Sequence, residues 1–120
     1  VEARLALLFS EGVSKGRISV NRFVDLCATR PAKLFGLYPQ KGTIAVGSDG
    51  DFVLFDPNKK ATVTKSLLHE NVDYTPYEGM ALTGFPVMTI SRGEVIVKNG
   101  EFLGKKGRGQ FMKRTLFQRP

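Results

Sequence analysis

Histidine and cysteine, the side chains most used in metal centres and nucleophilic chemistry, occur once each in this sequence, far apart. His69 is the single histidine, in Leu67-Leu68-His69-Glu70-Asn71, and Cys27 is the single cysteine. A zinc centre needs three or four His, Cys or carboxylate ligands. Glu70 does not complete the helical metalloprotease pattern, which needs a second histidine four residues on. His69 therefore reads as a loop or packing histidine. Cys27 falls among Phe23, Val24 and Leu26 and reads as a small buried apolar residue. One cysteine forms no internal disulfide, which fits a reducing compartment. Asp49, Asp51 and Asp56 could suggest calcium, but the loop with oxygen ligands at fixed offsets and a closing glutamate is missing. They read as turn and strand-end residues. There is no nucleophile elbow and no phosphate loop. Gly104-Lys105-Lys106-Gly107-Arg108-Gly109 has glycines and cations but no helix after it, so it makes a poor phosphate cradle. No residue is assigned as catalytic, cofactor-binding or metal-binding.

The elements are organised around Lys41 to Pro57, KGTIAVGSDGDFVLFDP. It reads as strand (Thr43 to Val46), turn (Gly47-Ser48-Asp49-Gly50) and strand (Phe52 to Phe55), ended by Asp56-Pro57. The second strand is apolar at every position, so it is expected to be covered on both faces. Ile44, Phe52 and Leu54 are the expected core of this hairpin, and Leu54→Ala would then cost about 2–5 kcal/mol.

Upstream the pattern is helical. Val1, Leu5, Leu8 and Phe9 form one stripe, with Gly12 as its stop. Ser19 is a candidate N-cap for a helix burying Val20, Phe23, Val24 and Cys27. Pro31 should end that helix and open a short one closed by Gly36. Downstream the chain is strands and turns. Ala61 to Thr64 is rich in strand formers, and Ser66 to Met80 reads as a long ordered loop. Pro86 opens a strand through Ile90, Arg92-Gly93 turns into Glu94 to Val97, and Asn99-Gly100 predicts a type I′ turn back to Glu101-Phe102-Leu103. Helices and strands are segregated, which gives an α+β class with a helical part and then an antiparallel part.

The 120 residues are 42% hydrophobic and carry a net charge of +7. That is enough for one modest domain or part of a larger one. No apolar run reaches the roughly 18–20 residues of a spanning helix, and no signal-peptide pattern opens the chain. Val1 begins directly in a helical pattern without an initiator methionine, which suggests a piece of a longer chain. Six cations (Lys105, Lys106, Arg108, Lys113, Arg114 and Arg119) lie after the last acid, Glu101. Such a tail can bind nucleic acid. Spread along a strand-poor segment, it reads rather as solvated or docked on a neighbouring subunit. A nucleic-acid module would also need aromatic residues interleaved with the cations, and only Phe111 and Phe117 qualify.

Several segments resemble, in order, the C-terminal region of the cyclic amidohydrolases, and specifically the dihydropyrimidinase (D-hydantoinase) group. Arg4 to Val13 looks like the helix after the last metal-binding strand of that family's barrel. Thr29-Arg30-Pro31-Ala32-Lys33-Leu34-Phe35-Gly36-Leu37 resembles its T-x-x-A-K-h-F-G-L helix, with h an apolar residue. Lys41 to Pro57 resembles K-G-x-I-x-x-G-x-D-x-D-h-V-h-h-D-P. Val72-Asp73-Tyr74-Thr75-Pro76-Tyr77-Glu78-Gly79-Met80 resembles V-D-Y-x-P-aromatic-E-G-M, which narrows the match to this group, and Ile90 to Gly100 resembles the closing hairpin. Gly50 stands where alanine is usual, and Leu68-His69 where relatives often have two histidines.

The resemblance implies that residues 1–37 are the last helices of a (β/α)8 amidohydrolase barrel. It implies that residues 38–120 are the C-terminal part of a small β-sandwich with a basic tail. It implies a metal-dependent cyclic amidase acting on the ring amide of dihydropyrimidines or hydantoins, through a hydroxide bridging two zinc ions. Their ligands (four His, a carboxylated Lys and an Asp) would all lie upstream of Val1. This piece would then serve structure and oligomerisation, as in a cytoplasmic homotetramer or dimer, with no nucleic-acid or membrane partner. The isolated piece should be inactive. It should self-associate, with the tail docked on another chain or disordered. The alternative is a non-catalytic relative of the collapsin-response-mediator type, a cytoskeletal scaffold. Those relatives carry long Ser/Thr-rich tails, so a chain ending at Pro120 fits the enzyme better.

Overall fold

The computed structural model describes residues 2–116; Val1, Phe117, Arg119 and Pro120, which the sequence placed in the helical stripe and the basic tail, lie outside the described residues. Among the described residues, three short α-helices are followed by a four-stranded antiparallel meander.

The first helix, α1 (Arg4–Leu8), continues without a break into a π-helical segment, Phe9–Ser14. Gly12 lies inside this segment and does not stop it. The stop is Gly16, at φ 67°, whose N–H bonds to the Val13 carbonyl at 2.9 Å. The inward face is Ala3, Ala6, Phe9 and Ser10; of the expected stripe Phe9 is buried, Leu5 half-buried and Leu8 exposed. Small residues face the sheet because backbone and sheet approach closely there.

Ser19 caps α2 (Val20–Val24), its Oγ accepting from the Arg22 N–H at 3.1 Å. Of the expected buried face only Phe23 is buried; Val20 and Val24 are exposed and Cys27 is half-buried. A π-helical turn (Asp25–Thr29) leads straight into α3 (Arg30–Leu34), so Pro31 is carried within one continuous rod. The wider π turn just before it leaves room for a ring that brings no N–H. Gly36, at φ 66°, closes α3. Leu37 N–H reaches the Ala32 carbonyl and Gly36 N–H the Lys33 carbonyl, the paired bonds of a Schellman stop.

The strands are β1 (Phe52–Thr62), β2 (Ala81–Ser91), β3 (Glu94–Lys98) and β4 (Glu101–Phe102), hydrogen-bonded in that order. The expected hairpin within Lys41 to Pro57 does not form. Residues 43–46 are not a strand, and the partner of β1 is β2, with Phe52 opposite Ile90. Ile44 is 82% exposed and Leu54 45% exposed, so neither is core, and Phe52 is only half-buried. The large cost expected for Leu54→Ala loses its basis. Pro57 does not end β1 either. It stands where the ladder is interrupted between Asp56 and Lys60, so its missing N–H breaks no pair. Asp56 Oδ1 accepts from the N–H groups of Asn58 and Lys59 and shapes that interruption. Both predicted turns are present: Arg92 and Gly93, and Asn99 and Gly100, all have positive φ.

The core is Ala6 on α1 against Val63 and Leu82, which are 1% and 2% exposed. Beside it, Phe9, Phe23 and Phe55 form an aromatic cluster joining the first helix, α2 and β1, with ring centroids 4.7–6.0 Å apart. Ser10 Oγ accepts from the Thr83 N–H at 3.1 Å and ties the helix to β2.

Candidate functional site

An open, mainly apolar groove of about 900 Å3 lies between α2–α3 and the start of β1, lined by Phe23, Cys27, Pro31, Phe35, Phe52 and Val53 among others. Two local features shape it. The helical rod presents Phe23, Cys27 and Pro31, and the loop before β1 folds back onto the rod. Gly42 lets that loop approach, since a β-carbon there would collide with Ala32. Thr29 Oγ1 donates to the Gly42 carbonyl at 2.7 Å and fixes the approach.

One charged cluster lines this groove. Lys41 Nζ lies 2.7 Å from Asp49 Oδ2 and also bonds Asp51. Asp51 in turn accepts from the Arg92 N–H at 2.8 Å, joining the loop to the β2–β3 turn. Burial pulls the Lys41 ammonium down, but the hydrogen bonds to Asp49 and Asp51 outweigh it and hold it above the usual lysine range. The bond from Lys41 holds the Asp49 carboxyl below its usual range. Read from the sequence, these acids had turn roles; the Lys41 that opens the same segment was the overlooked partner. Asp56 does serve the backbone.

Cys27 lies in the groove wall, half-buried, and burial raises its thiol. A thiol so placed is a weak nucleophile at neutral pH. His69 does not line the groove. Its Nδ1 faces Glu2 Oε1 at 2.7 Å, its Nε2 faces the Gly100 carbonyl at 2.7 Å, and its backbone N–H donates to Glu2 Oε2 at 2.6 Å. It is a structural hub between the N-terminal turn, the 66–80 loop and the β3–β4 turn. Among the described residues, no three His, Cys, Asp or Glu side chains are grouped so as to hold a metal ion. No helix among them is long and apolar enough to cross a membrane.

The basic tail runs back along its own chain at two points. Arg108 donates to the Ser91 carbonyl at 2.7 Å and to Ser91 Oγ at 3.0 Å, and its Nε lies 3.3 Å from Glu94. Thr115 donates from both N–H and Oγ1 to the Gly36 carbonyl. The expected alternatives, another chain or disorder, omitted this intrachain docking. Phe111 and Leu116 stay almost fully exposed.

The amidohydrolase family model matches residues 2–96. The chain belongs to the amidohydrolase family. Within it, the chain is 53% identical over 117 residues to the D-hydantoinase of Geobacillus stearothermophilus, covering 98% of this chain and 25% of that protein. It is 52% identical over 120 residues to the D-phenylhydantoinase of Escherichia coli O1:K1 / APEC, covering 100% of this chain and 26% of that protein. Its fold superposes on the dihydropyrimidinase from Brevibacillus agri NCHU1002 with TM-score 0.93 at 53% identity, over 97% of this chain and 25% of that one. The chain thus spans about a quarter of the length of these relatives. The group read from Lys41 to Pro57 and Val72 to Met80 is the group these comparisons return.

Proposed function

We propose that this chain is the C-terminal part of a metal-dependent cyclic amidase that opens the ring amide of dihydropyrimidines or hydantoins. The observation that carries the reading is the 53% identity with a D-hydantoinase over 98% of the chain. In this reading residues 1–37 are the last helices of a (β/α)8 barrel and residues 38–120 the C-terminal strands of a small β-sandwich with its basic tail. The parent acts in the cytoplasm on a small cyclic amide, as a homotetramer or dimer, without nucleic-acid or membrane partners.

Zinc belongs to the parent in this proposal. The residues of this chain do not fit a metal centre, having no suitable ligand group among those described. In this reading the residues of this chain hold no metal and take no catalytic role. What the chain contributes is architecture. Its groove and the exposed Ile44, Val46, Val53 and Leu54 are surfaces for the rest of the parent to cover. The relatives named above are hydantoinases and a dihydropyrimidinase, which does not favour the cytoskeletal-scaffold alternative.

The test is a chimera in which this chain replaces the matching quarter of the Geobacillus stearothermophilus D-hydantoinase. Hydantoin opening should remain within about tenfold of the unmodified enzyme, a small loss on the scale of catalytic free energies. A chimera that folds and assembles but opens no ring would overturn the proposal.

A further inference from the structure

Asn99 and Gly100 form the two-residue turn between β3 and β4, at φ 51° and 85°, and both are exposed. Asn99 is held through its backbone N–H, which donates to the Val87 carbonyl at 2.9 Å. Among the described residues its side-chain amide has no hydrogen-bond partner. The space beside Gly100 is open, with no atom within 4 Å of where a β-carbon would stand. The chain has four asparagines, Asn21, Asn58, Asn71 and Asn99, and only Asn99 precedes a glycine. An unbranched following residue is what lets the next backbone nitrogen reach the asparagine side chain.

We propose that Asn99 is a site of spontaneous deamidation and that His69 restrains it by holding the Gly100 carbonyl. The Gly100 amide nitrogen bonds to Asn99 Cγ, the Cγ–Nδ2 bond breaks, and ammonia leaves with the proton that the nitrogen gives up. The resulting cyclic imide takes up one water. Opening at one carbonyl gives aspartate, and opening at the other gives isoaspartate, with one extra methylene in the backbone. For the attack Asn99 must leave its left-handed conformation, and that swings the Gly100 carbonyl. His69 Nε2, 2.7 Å from that carbonyl, opposes the swing. The isoaspartyl product cannot keep both the Val87 and the His69 anchors, so modification detaches this corner of the sheet from the 66–80 loop.

The restraint depends on pH. Both imidazole nitrogens face acceptors, Glu2 and the Gly100 carbonyl, so the doubly protonated ring satisfies both. The other charged groups on the elements meeting there are Lys65 just before the loop, Glu70, Asp73 and Glu78 in the loop, Arg4 after the N-terminal turn, and Lys98 and Glu101 beside the β3–β4 turn. Of all these, Glu2 is the one in an ion pair with the ring. As the ring loses its proton, the charge-assisted bond weakens and the turn is released.

The proposal does not rest on the identity of the parent enzyme, because the experiment reads only the state of Asn99. The full-length protein carrying this chain is aged at several pH values and digested. Asn99 is followed by its gain of one mass unit and by isoaspartyl methyltransferase labelling, with a urea-unfolded sample as reference. Asn99 should be modified ahead of the other three asparagines. His69→Ala should speed it roughly threefold at about pH 6, where the imidazolium persists, and the gap should narrow at higher pH. An Asn99 that stays intact in the folded protein while the unfolded reference is modified overturns the proposal. So does a His69→Ala rate equal to the parent's at every pH. The narrowing with pH is what a merely loosened turn would not produce.

Discussion

Gly84 in β2 lies flat against the ring of Phe9, so close that a β-carbon on it would run into Cδ1 and Cε1 of that ring and reach 3.0 Å from Phe55. Its φ of 95° is one that L side chains rarely adopt. The aromatic cluster can sit on the sheet only because this position lacks a side chain. Gly84→Ala should therefore destabilise the fold by about 3 kcal/mol or more, from backbone strain and overpacking together. Denaturant unfolding checks it. In a double-mutant cycle Phe9→Ala should remove the overpacking part of the cost, so the two changes should not add.

The ion pair of His69 with Glu2 predicts a slope of stability with pH. The hydrogen bond with Glu2, then that with the Gly100 carbonyl, raises the imidazole above its usual value. A raised histidine contributes fully below its unfolded pKa and loses that contribution as pH rises through the folded value. Stability should fall across that interval in the parent sequence, and the fall should flatten in His69→Gln. Unfolding midpoints at closely spaced pH values would show it; an unchanged slope in the variant would count against the pair.

Lys41 gives slopes at both extremes. Its raised ammonium contributes below the usual lysine range and loses that contribution as pH rises through the folded value. The depressed Asp49 contributes above the usual carboxylate range and loses its part as pH falls through its folded value. Lys41→Met should weaken both slopes at once, whereas Asp49→Asn should leave much of the alkaline one, because Asp51 still bonds Lys41. Equal slopes in Lys41→Met and the parent sequence would show that the cluster is not coupled to folding.

Docking of the tail depends on Gly36. A β-carbon there would collide with the Thr115 backbone carbonyl. Gly36→Ala should release the segment and speed tryptic cleavage at Lys113 and Arg114. Thr115→Pro, which removes the donating N–H without touching the α3 stop, should speed cleavage at Lys113, the bond after Arg114 being closed to trypsin by the new proline. Cleavage at the parental rate in both variants would mean that the contact does not hold the tail.

The 120-residue chain by itself should neither retain zinc through dialysis nor open dihydrouracil or hydantoin, since one histidine and one distant cysteine cannot make a two-metal centre. Metal analysis and a ring-opening assay check this directly. Stoichiometric zinc with measurable turnover would contradict it.

Features set by a few neighbouring residues were legible in the sequence: the Ser19 cap, the Gly36 stop, and the Arg92-Gly93 and Asn99-Gly100 turns. Each depends on local hydrogen bonds or on a positive φ that few residues tolerate. The partner of β1 was not legible. Phe52 to Phe55 is apolar on both faces, which says that it prefers cover without saying which segment provides it. Its partner begins at Ala81, across a long loop. The helix stops at Gly12 and Pro31 failed for another reason. Both residues sit in or beside π turns, and a 3.6-residue period does not reveal such turns. At the groove, Asp49 and Asp51 were noticed but their shared Lys41 was not, because an ion pair eight and ten residues apart follows from the path of a loop.

The two outer strands give the sheet a direction. On one side β4 offers only Glu101 and Phe102 as an edge. On the other side β1 is eleven residues long, with no further strand beside it in the meander. An additional strand, from whatever source, therefore has a usable template on one flank alone. Even there Pro57 lacks a donor and the ladder is irregular from Asp56 to Lys60, so recruitment is confined to the stretch beginning at Phe52. Growth of this sheet is one-sided, and its starting register is set by the chain itself.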